Sequence, residues 1–263
     1  TYQYGRLVNI INTEQKRDNH NFFWQFKNYL TNTEQFGRHN ITAMLGQEVS
    51  ESKWEYLSAT GSGLSSNDIH EPGLGNPKSM QIGSGRGSSA LASFFARGNY
   101  SFSSKYFLSY TFRYDGSSNF GPKNRWAPFH SVSGSWKVSN ESFMANWKET
   151  ISDLKIRAGW GQTGNQSIGG YRWGASIAKM PSNLGMGFRQ SNIANPYITW
   201  ETVIQSNLGL DMGFLKNRIN LVLDIYIKTS TAMLMDLQLP SYMGTSSNGS
   251  ICLNPPLGNF GKI

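Results

Sequence analysis

The sequence is poor in cysteine, in charge and in long apolar runs, and each shortage excludes a class of protein. Cys252 is the one cysteine among 263 residues, which excludes an internal disulfide framework and CxxC metal chemistry. No run approaches the roughly 18 consecutive apolar residues of a transmembrane helix. A membrane strand stays possible, because it needs only about 9–11 residues. Charged residues make up only 15% of the chain, so few side chains demand solvation.

Motifs of catalysis and metal binding are missing as well. The chain contains no GxSxG, HExxH or P-loop pattern. The Gly-Ser-Gly-Arg-Gly run at 83–87 lacks the strand-to-helix context of a phosphate loop and is interpreted as a flexible loop. The histidines have no metal-ligand spacing, since they stand far apart at His20, His39, His70 and His130. We therefore expect no enzyme activity, no cofactor and no metal.

Basic residues outnumber acidic ones, 24 to 16, and give a formal net charge of +8. In a nucleic-acid-binding protein they would cluster into a patch or follow a known binding motif. Here they are scattered singly, as at Lys105, Lys123 and Arg125. This distribution argues against a nucleic-acid partner.

What the chain does have is aromatics, at 13%, and 28 glycines. The stretch KYFLSYTFRYDGSSNFGPKNRW at 105–126 opens with ten strictly alternating residues. One side carries Tyr106, Leu108, Tyr110, Phe112 and Tyr114, and the other carries Phe107, Ser109, Thr111, Arg113 and Asp115. A period of two is that of a β-strand with one apolar face and one largely polar face.

The same period recurs along the chain and predicts an all-β protein of about nine or ten strands. In 218–228, for example, Ile219, Leu223 and Ile227 alternate with Asp224 and other residues. The further predicted strands are 21–30, 40–57, 93–102, 126–138, 153–161 and 203–212. Short connections favour antiparallel neighbours.

Connections of two lengths tend to alternate. Short turns are predicted at 103–104 and 213–217, and residues 139–144 predict a short helical turn. Long loops rich in Gly, Ser, Asn and Pro are predicted near 61–92, 115–125, 179–198 and 240–258. Short periplasmic turns opposite long extracellular loops are typical of outer-membrane barrels.

Two environments fit strands with one apolar face. A soluble all-β domain buries that face in a core, whereas an outer-membrane barrel turns it to lipid. Aromatics gather near strand ends, at Tyr106, Tyr114, Trp126, Trp136 and Trp160. Girdles of this kind mark a membrane interface, and they favour the barrel.

Four long sequence segments resemble those of a known family. They are GRHNITAMLGQEVSESKWEYLSATGSG, RGNYSFSSKYFLSYTFRYDGSSNFGPKNRWAPFHSVSGSWKVSNESFM, ISDLKIRAGWGQTGNQSIGGY and NPYITWETVIQSNLGLDMGFLKNRINLVLDIYIKTSTAMLMDLQLP. They resemble, in order along the chain, the SusC/RagA family of TonB-linked outer-membrane transporters. Phrases of this length are far more specific than a single short motif.

The resemblance implies a 22-stranded barrel filled by a plug domain, and no plug sequence is visible here. Residues 1–263 are therefore expected to be a partial outer-membrane β-barrel from a protein several times longer. It also implies TonB-dependent import of large nutrients, glycans or oligopeptides, across the cell outer membrane. The implied partners are a SusD-like surface lipoprotein, and the TonB complex acting through the plug segment.

Candidate site residues fall into two groups. On the predicted loops, Tyr171 and Trp173 can stack on sugar rings or peptide side chains, and Lys123 and Arg125 can meet substrate or lipopolysaccharide phosphates. The loop at 61–92 offers Asp68, His70 and Glu71 to a partner lipoprotein or a substrate. Strand alternation predicts that Arg113, Asp115, Arg157 and Asp224 face the lumen, where they can pair with the plug or line the path of a polar solute.

Two other functions stay open from the residues alone. A passive porin or structural barrel would share the strand pattern but need neither plug nor TonB. A secreted β-sandwich carbohydrate-active enzyme would use the same alternation to bury a core.

Overall fold

The computed structural model describes residues 2–3, 6–7, 12–240 and 253–263. Residues 241–252, which include Cys252 and most of the loop predicted at 240–258, lie outside the described residues. Across the described ranges, no helix is both long enough and apolar enough to cross a membrane.

Strands dominate the described residues. They are β1 (Tyr2–Gln3), β2 (Arg6–Leu7), β3 (Thr13–Phe36), β4 (His39–Ser62), β5 (Gln81–Phe102), β6 (Tyr106–Ser117), β7 (Trp126–Lys137), β8 (Ile151–Asn165), β9 (Ile177–Ser182), β10 (Gly185–Gln190), β11 (Glu201–Phe214), β12 (Ile219–Thr231), β13 (Leu234–Asp236) and β14 (Leu257–Asn259). Short 3-10 helices span Pro72–Leu74, Pro77–Ser79, Val138–Asn140 and Ser142–Trp147.

Eight of these strands form one sheet in the order β12-β11-β8-β7-β6-β5-β4-β3. The pairs β5–β6, β6–β7, β7–β8, β8–β11 and β11–β12 are antiparallel. Strands β9 and β10 form a separate hairpin within the connection from β8 to β11, and β13 pairs with β14. The sheet is therefore a meander interrupted once by an inserted hairpin.

The chain divides into two compact units. The first contains residues 1–24 and 50–89, and the second contains residues 25–49 and 90–263. In the first unit, three strand segments carry the connection 63–80, whose Leu64 is buried. Gly61 packs so closely on Pro72 that an added Cβ would lie 2.1 Å from the Pro72 carbonyl oxygen. The second unit contains segments of all eight strands of the main sheet.

Short turns join the strands at one end of the second unit. The connection 103–105 joins β5 to β6, and in it Ser103 and Ser104 are left-handed, with φ of 50° and 55°. A pair of left-handed residues in a tight hairpin matches the twist of the strands it joins. Leu215, Lys216 and Asn217 are also left-handed, with φ between 52° and 61°. Neither turn has the glycine that normally marks such a conformation, yet both were located from strand spacing.

Strand bounds differ from those predicted, mostly towards longer strands. The loop predicted at 61–92 is confined to 63–80, because β5 begins at Gln81 and includes the glycine-rich run. The loop predicted at 115–125 shortens to 118–125, and the region 179–198 contains most of the β9–β10 hairpin. About nine or ten strands were expected along the chain; the described residues contain fourteen, of which eight form the main sheet. The predicted helical turn at 139–144 is present as two 3-10 helices.

The glycine-rich run shows why these bounds were missed. Glycine is depleted in strands because it is flexible and leaves nothing to pack. Gly83, Gly85 and Gly87 nevertheless lie in β5, where rings or side chains of β4 occupy the space that their Cβ atoms would fill. Cross-strand packing, which has no local sequence pattern, therefore decides the start of β5.

Candidate functional site

The polar face of the second unit forms a concavity of about 740 Å³. Strand alternation brings polar side chains of six neighbouring strands, β4 to β8 and β11, to it, among them Asn40, Asn99, Ser109, Ser133 and Asn207. Ser109 Oγ donates to Asn99 Oδ1 at 2.7 Å, and Arg97 Nε donates to Thr111 Oγ1 at 3.2 Å on the same sheet. Such a surface offers hydrogen-bond donors and acceptors to water and polar solutes.

Arg157 is the centre of an ionic network at the edge of this concavity. Its Nε and Nη2 donate to the two carboxylate oxygens of Asp211 at 2.9 and 2.8 Å. Nη2 also donates to Asp224 Oδ1 at 3.1 Å. The three residues belong to β8, β11 and β12, so one guanidinium connects three adjacent strands. A planar guanidinium suits this geometry because it binds a carboxylate with two parallel hydrogen bonds.

Gly209 makes that network possible. It lies between Arg157 and Asp224 in the strand register. A Cβ on Gly209 would lie 2.6 Å from Asp224 Oδ1 and 2.8 Å from Arg157 Cζ. Because real Cβ atoms essentially never approach so closely, any other residue at this position would force the Arg157 or Asp224 side chain to shift.

Arg113 and Asp115 face one another along β6. Arg113 Nη2 lies 3.1 Å from Asp115 Oδ1, and the guanidinium carbon lies 5.7 Å from the centre of the Phe95 ring. Nearby on the same unit, Lys27 pairs with Glu48 at 3.8 Å. Each of the four residues expected to face the lumen thus has an opposite charge on the sheet itself.

The opposite face of the second unit is apolar and uncovered. On β12 the side chains of Leu223, Ile225 and Ile227 are half to three-quarters exposed. Neighbouring strands continue this face with Leu108, Tyr110, Val132 and Leu208, which are also exposed. A contiguous exposed apolar surface of this extent marks an interaction with lipid or with another protein.

Two rows of stacked aromatics bound that face. One row crosses β4 to β7 through His39, Phe102, Tyr106 and Trp136, with ring centroids 4.8 to 6.4 Å apart. In the other row, the centroid of the Trp126 ring lies 6.1 Å from that of Phe94 and 5.1 Å from that of Tyr114. Tyr106 and Tyr114 are eight residues apart on β6, which corresponds to roughly 20 Å across a barrel with its usual strand tilt. That separation is close to the ~25 Å apolar band of outer-membrane barrels.

Glu141 fixes the first aromatic row from the connection between β7 and β8. Its carboxylate accepts from Lys105 Nζ at 2.7 Å, from Tyr106 Oη at 2.7 Å and from Trp136 Nε1 at 3.2 Å. The hydrogen bonds from Lys105 and then Tyr106 hold the pKa of Glu141 below its ordinary value of 4.5. The carboxylate is therefore charged at neutral pH and orients two rings of the row.

The connections at the other end of the second unit pack into a small hydrophobic core. Phe120 and Ile198 are fully buried, and the Trp200 ring lies 4.9 Å from Phe120 and 5.5 Å from Phe129. Ile168 and Leu257 complete the buried set. Four segments that are distant in sequence, 118–129, 166–176, 191–200 and 253–260, are thereby held together. We call this set of residues the loop core.

The loop candidates lie at different depths of the loop core. Trp173 packs against it, while Tyr171 adopts a left-handed conformation (φ 58°) and is 56% exposed. Arg125 is partly buried, and its carbonyl accepts from Trp200 Nε1 at 3.0 Å. Lys123 is exposed. The loop core thus places Trp173 and Arg125 in packing positions and leaves Tyr171 and Lys123 at the surface.

The three candidates of the first unit lie close together on the connection 63–80. Glu71 Oε1 pairs with Lys16 Nζ at 2.5 Å, and His70 Nδ1 lies 3.7 Å from Glu14 Oε2. Asp68 accepts from Ser66 Oγ at 3.1 Å. All three are exposed. His70 and Glu71 thus connect this loop to β3.

Several central residues were missed from the sequence. Asp211, Gly209, Glu141 and Trp200 were not singled out, although Asp211 stands at an inward position of β11 by alternation. A search for opposite charges at inward positions of neighbouring predicted strands would have found Asp211. Gly209, Glu141 and Trp200 depend on contacts across strands or loops and have no local signal. In the described part of the chain, no group of three or more His, Cys, Asp or Glu side chains is arranged to hold a metal ion.

An antiparallel meander with a bare apolar face, two aromatic rows and a polar concave face defines a section of a membrane barrel wall. A family model for the β-barrel of TonB-dependent receptor-like proteins matches residues 1–262. The chain belongs to this family. The all-β barrel prediction and the resemblance to the SusC/RagA family are thereby confirmed.

Individual relatives agree with this assignment. TonB-dependent receptor P3 of Formosa agariphila is 34% identical over 226 residues, which are 84% of this chain and 22% of that protein. TonB-dependent receptor SusC of Bacteroides thetaiotaomicron is 35% identical over 180 residues, or 65% of this chain and 18% of that protein. The chain thus spans about a fifth of the length of these curated relatives.

A solved structure shows the same fold. The structure of the RagAB peptide transporter superposes with a TM-score of 0.83 at 28% identity, over 96% of this chain and 27% of that chain. The RagAB peptide importer in its open-open state gives a TM-score of 0.81. TonB-dependent receptors are transporters rather than enzymes, which confirms the expectation that this chain is not an enzyme.

Proposed function

We propose that this chain is the wall section of a TonB-dependent transporter that imports large nutrients, glycans or oligopeptides, across the bacterial outer membrane. One observation carries the proposal. In a chain of the TonB-dependent receptor barrel family, a sheet with a bare apolar face between two aromatic rows turns a polar concavity to its other side. The apolar face meets lipid and the concavity borders the transport path.

In this function the wall makes and breaks no bond. Its small polar side chains, such as Ser133 and Asn207, offer a solute hydrogen bonds to replace those with water. Arg157 and Arg113 are neutralised within the wall, which keeps strong fixed charges from trapping a passing solute. Substrate arriving from outside shifts the plug, and pulling by TonB opens the path.

The partners follow from the same proposal. A SusD-like surface lipoprotein holds substrate over the loops, and the exposed group Asp68, His70 and Glu71 offers it a polar contact. Tyr171 contacts substrate and Lys123 meets phosphates of lipopolysaccharide or of a substrate, while Trp173 and Arg125, in their packing positions, support the two connections that carry them. Arg113, Asp115, Arg157 and Asp224 face the plug, which completes their environment. The name of the RagAB peptide transporter supports a peptide as one class of cargo, and glycans are the other.

The test uses the full-length protein in its own host. The gene is deleted and then restored with and without a functional TonB, and uptake of labelled oligosaccharides and oligopeptides is measured. We expect the protein in the outer-membrane fraction, a gel mobility shift on boiling, a co-purified lipoprotein and uptake that requires TonB. Uptake that continues without TonB would identify a passive porin instead, and recovery as a detergent-independent soluble protein would contradict the barrel.

A further inference from the structure

Four connections at the short-turn end of the second unit are hydrogen-bonded side by side. In each case a backbone N–H of one connection donates to a backbone carbonyl of the next. The donor and acceptor residues are Ser103 and Arg38 at 2.8 Å, Lys137 and Lys105 at 2.7 Å, and Leu215 and Thr150 at 3.0 Å. These bonds join residues 37–38, 103–105, 137–153 and 215–218 into one border of the sheet, which we call the turn rim.

The turn rim carries more basic than acidic side chains. Its basic residues are Arg38, Lys105, Lys137, Lys148, Lys216 and Arg218, and its acidic residues are Glu141, Glu149 and Asp153. Glu141 already pairs with Lys105 at 2.7 Å, and Asp153 pairs with Lys137 at 3.4 Å. The other four cations form no ion pair with any described residue, and Glu149 is the one carboxylate of the rim that is not paired. The rim therefore presents positive charge that the protein does not balance.

Three of those cations lie on two neighbouring connections, beside two exposed apolar side chains. The connections touch through Leu215 N and the Thr150 carbonyl, and through Asn217 N, which donates to Ser152 Oγ at 3.2 Å. Trp147 is 60% exposed and Leu215 is 52% exposed. We call the exposed side chains of this area the rim patch; they are Trp147, Lys148, Leu215, Lys216 and Arg218.

The turn that carries part of the rim patch is strained. Leu215, Lys216 and Asn217 have φ of 52°, 59° and 61°. The left-handed region is unfavourable for a residue with a Cβ, because the Cβ then crowds the following carbonyl oxygen. A half-exposed leucine recovers little of that cost by packing within the described residues. Strain of this kind clusters at binding sites, so the turn points to a ligand that contacts it.

The rim patch continues the membrane interface of the sheet. Trp147 lies in the same connection as Glu141, whose carboxylate accepts hydrogen bonds from Tyr106 and Trp136 of the first aromatic row. Aromatic rows of this kind lie at the level of the lipid headgroups. At that level, apolar side chains insert towards the acyl chains while lysine and arginine keep their charged ends among the phosphates.

We propose that the rim patch binds an anionic phospholipid of the adjoining leaflet. Lys148, Lys216 and Arg218 contact the phosphate of its headgroup, while Trp147 and Leu215 contact its acyl chains. Short turns are typical of the periplasmic end of a barrel, where the leaflet consists of phospholipid. A headgroup without an amine suits the site, because the ammonium group of phosphatidylethanolamine would oppose the three cations. The inference goes beyond the proposed import function, since it requires the barrel wall but neither TonB nor a substrate.

The test measures lipid binding by the purified full-length protein in detergent, using native mass spectrometry. The probes are phosphatidylglycerol and phosphatidylethanolamine with identical acyl chains. We expect phosphatidylglycerol to bind more tightly, and the triple variant Lys148→Gln/Lys216→Gln/Arg218→Gln to weaken its binding about ten-fold or more, because each cation near a membrane surface adds to the attraction. The preference for phosphatidylglycerol should shrink as the ammonium acetate concentration is raised, since salt screens exposed charges.

A second arm separates a lipid site from a site for phosphate alone. Glycerol 1-phosphate carries the charged group without acyl chains, so it should not displace phosphatidylglycerol at equal concentration. Trp147→Ala should weaken lipid binding although it leaves all three cations in place. Displacement by glycerol 1-phosphate, with no effect of Trp147→Ala, would identify a simple anion site and overturn the proposal.

Matched variants separate the rim patch from charge in general. Lys228→Gln removes an exposed cation of β12 outside the turn rim, and it should bind phosphatidylglycerol as the unaltered protein does. Glu149→Gln removes the unpaired carboxylate of the rim and should tighten binding. All variants change exposed side chains and should keep the mobility shift on boiling. Unchanged affinity in the triple variant, or an equal loss in Lys228→Gln, would overturn the site.

Discussion

The second unit contains two apolar regions in opposite environments. One is the loop core, and the other is the exposed apolar face of the main sheet, which we call the wall. Phe120, Ile198 and Trp200 are shielded by protein from four connections, as in a soluble domain. On the wall, Ile225 and Ile227 are more than 70% exposed although they sit in a regular strand. The connections are therefore stabilised by packing within the protein. The apolar face of the wall, in contrast, is covered only when an external apolar solvent such as lipid surrounds it.

The largest effect is expected from emptying the loop core. Phe120→Ala removes a fully buried ring, and such a deletion costs about 3–5 kcal/mol. Because the loop core has its own packing, we expect the connections to become protease-sensitive while the wall keeps its mobility shift on boiling. Hydrogen exchange of residues 118–125 and 191–200 measures this.

Tyr197→Ala serves as the control, since its side chain is 76% exposed in the same connection. It should change stability by no more than about 0.5 kcal/mol. Equal protease sensitivity of the two variants would show that the loop core does not hold the connections together.

The next effect tests which face of the wall meets lipid. Ile225 and Tyr226 are adjacent on β12 and almost equally exposed, at 72% and 66%. Ile225→Lys puts a charge on the apolar face and should cost about 2–4 kcal/mol near the bilayer midplane. Tyr226→Lys, on the face of Asp224, should cost much less.

Urea unfolding in lipid vesicles gives both free energies. A comparable loss for both lysines would mean that the two faces have the same environment, and the membrane assignment of the wall would then fail.

A smaller effect is expected from crowding the ionic network. Gly209→Ala places a Cβ within 3 Å of both Asp224 and Arg157 and should cost about 1–3 kcal/mol through displaced side chains. Gly134→Ala is the matched change on β7, where the nearest atom to the new Cβ is 3.8 Å away. The urea midpoint should fall for the first variant alone. A similar midpoint for both would show that Arg157 can move aside without loss.

The smallest effect concerns the carboxylate that orients the first aromatic row. The pKa of Glu141 is lowered in the folded protein, chiefly by Lys105. Its contribution to stability is therefore complete above the unfolded value of about 4.5. It is lost as pH falls below that value and through the lowered folded pKa.

The urea midpoint measured from pH 6 down to pH 3 tests this contribution. Glu141→Gln should remove part of the decline below pH 4.5 and lower the midpoint slightly at pH 6. An identical pH profile for the variant and the unaltered protein would contradict a structural role for the charge. Glu149→Gln, an exposed change in the same connection, is the control.

Sequence reasoning located the strands by their centres and not by their ends. The alternation in 105–115 and 218–228 identified β6 and β12, because each strand has one apolar and one polar face. The start of β5 and the whole β9–β10 hairpin were missed, since their glycines and serines are typical of loops. The strand conformation at the start of β5 depends on partners such as Trp54, which lie on another strand.

The sequence identified some residues of the candidate site, but it did not predict how these residues are arranged. Arg157 and Asp224 were assigned to one face by period alone, and the structure places them in one network. Asp211 and Gly209, which complete it, lie on the strand between them and required the register of β8, β11 and β12. Trp173 was foreseen as exposed for ligand contact, and the structure packs it against the loop core.

By itself, the sequence determined the all-β class, the two faces of each strand and the absence of a catalytic motif, because strand period and residue chemistry are local properties. Only the tertiary structure decided the ionic network and the loop core. Each joins residues from strands or connections that are distant along the chain, and their contacts depend on strand register. Register is set by the sum of cross-strand packing, which no single segment encodes.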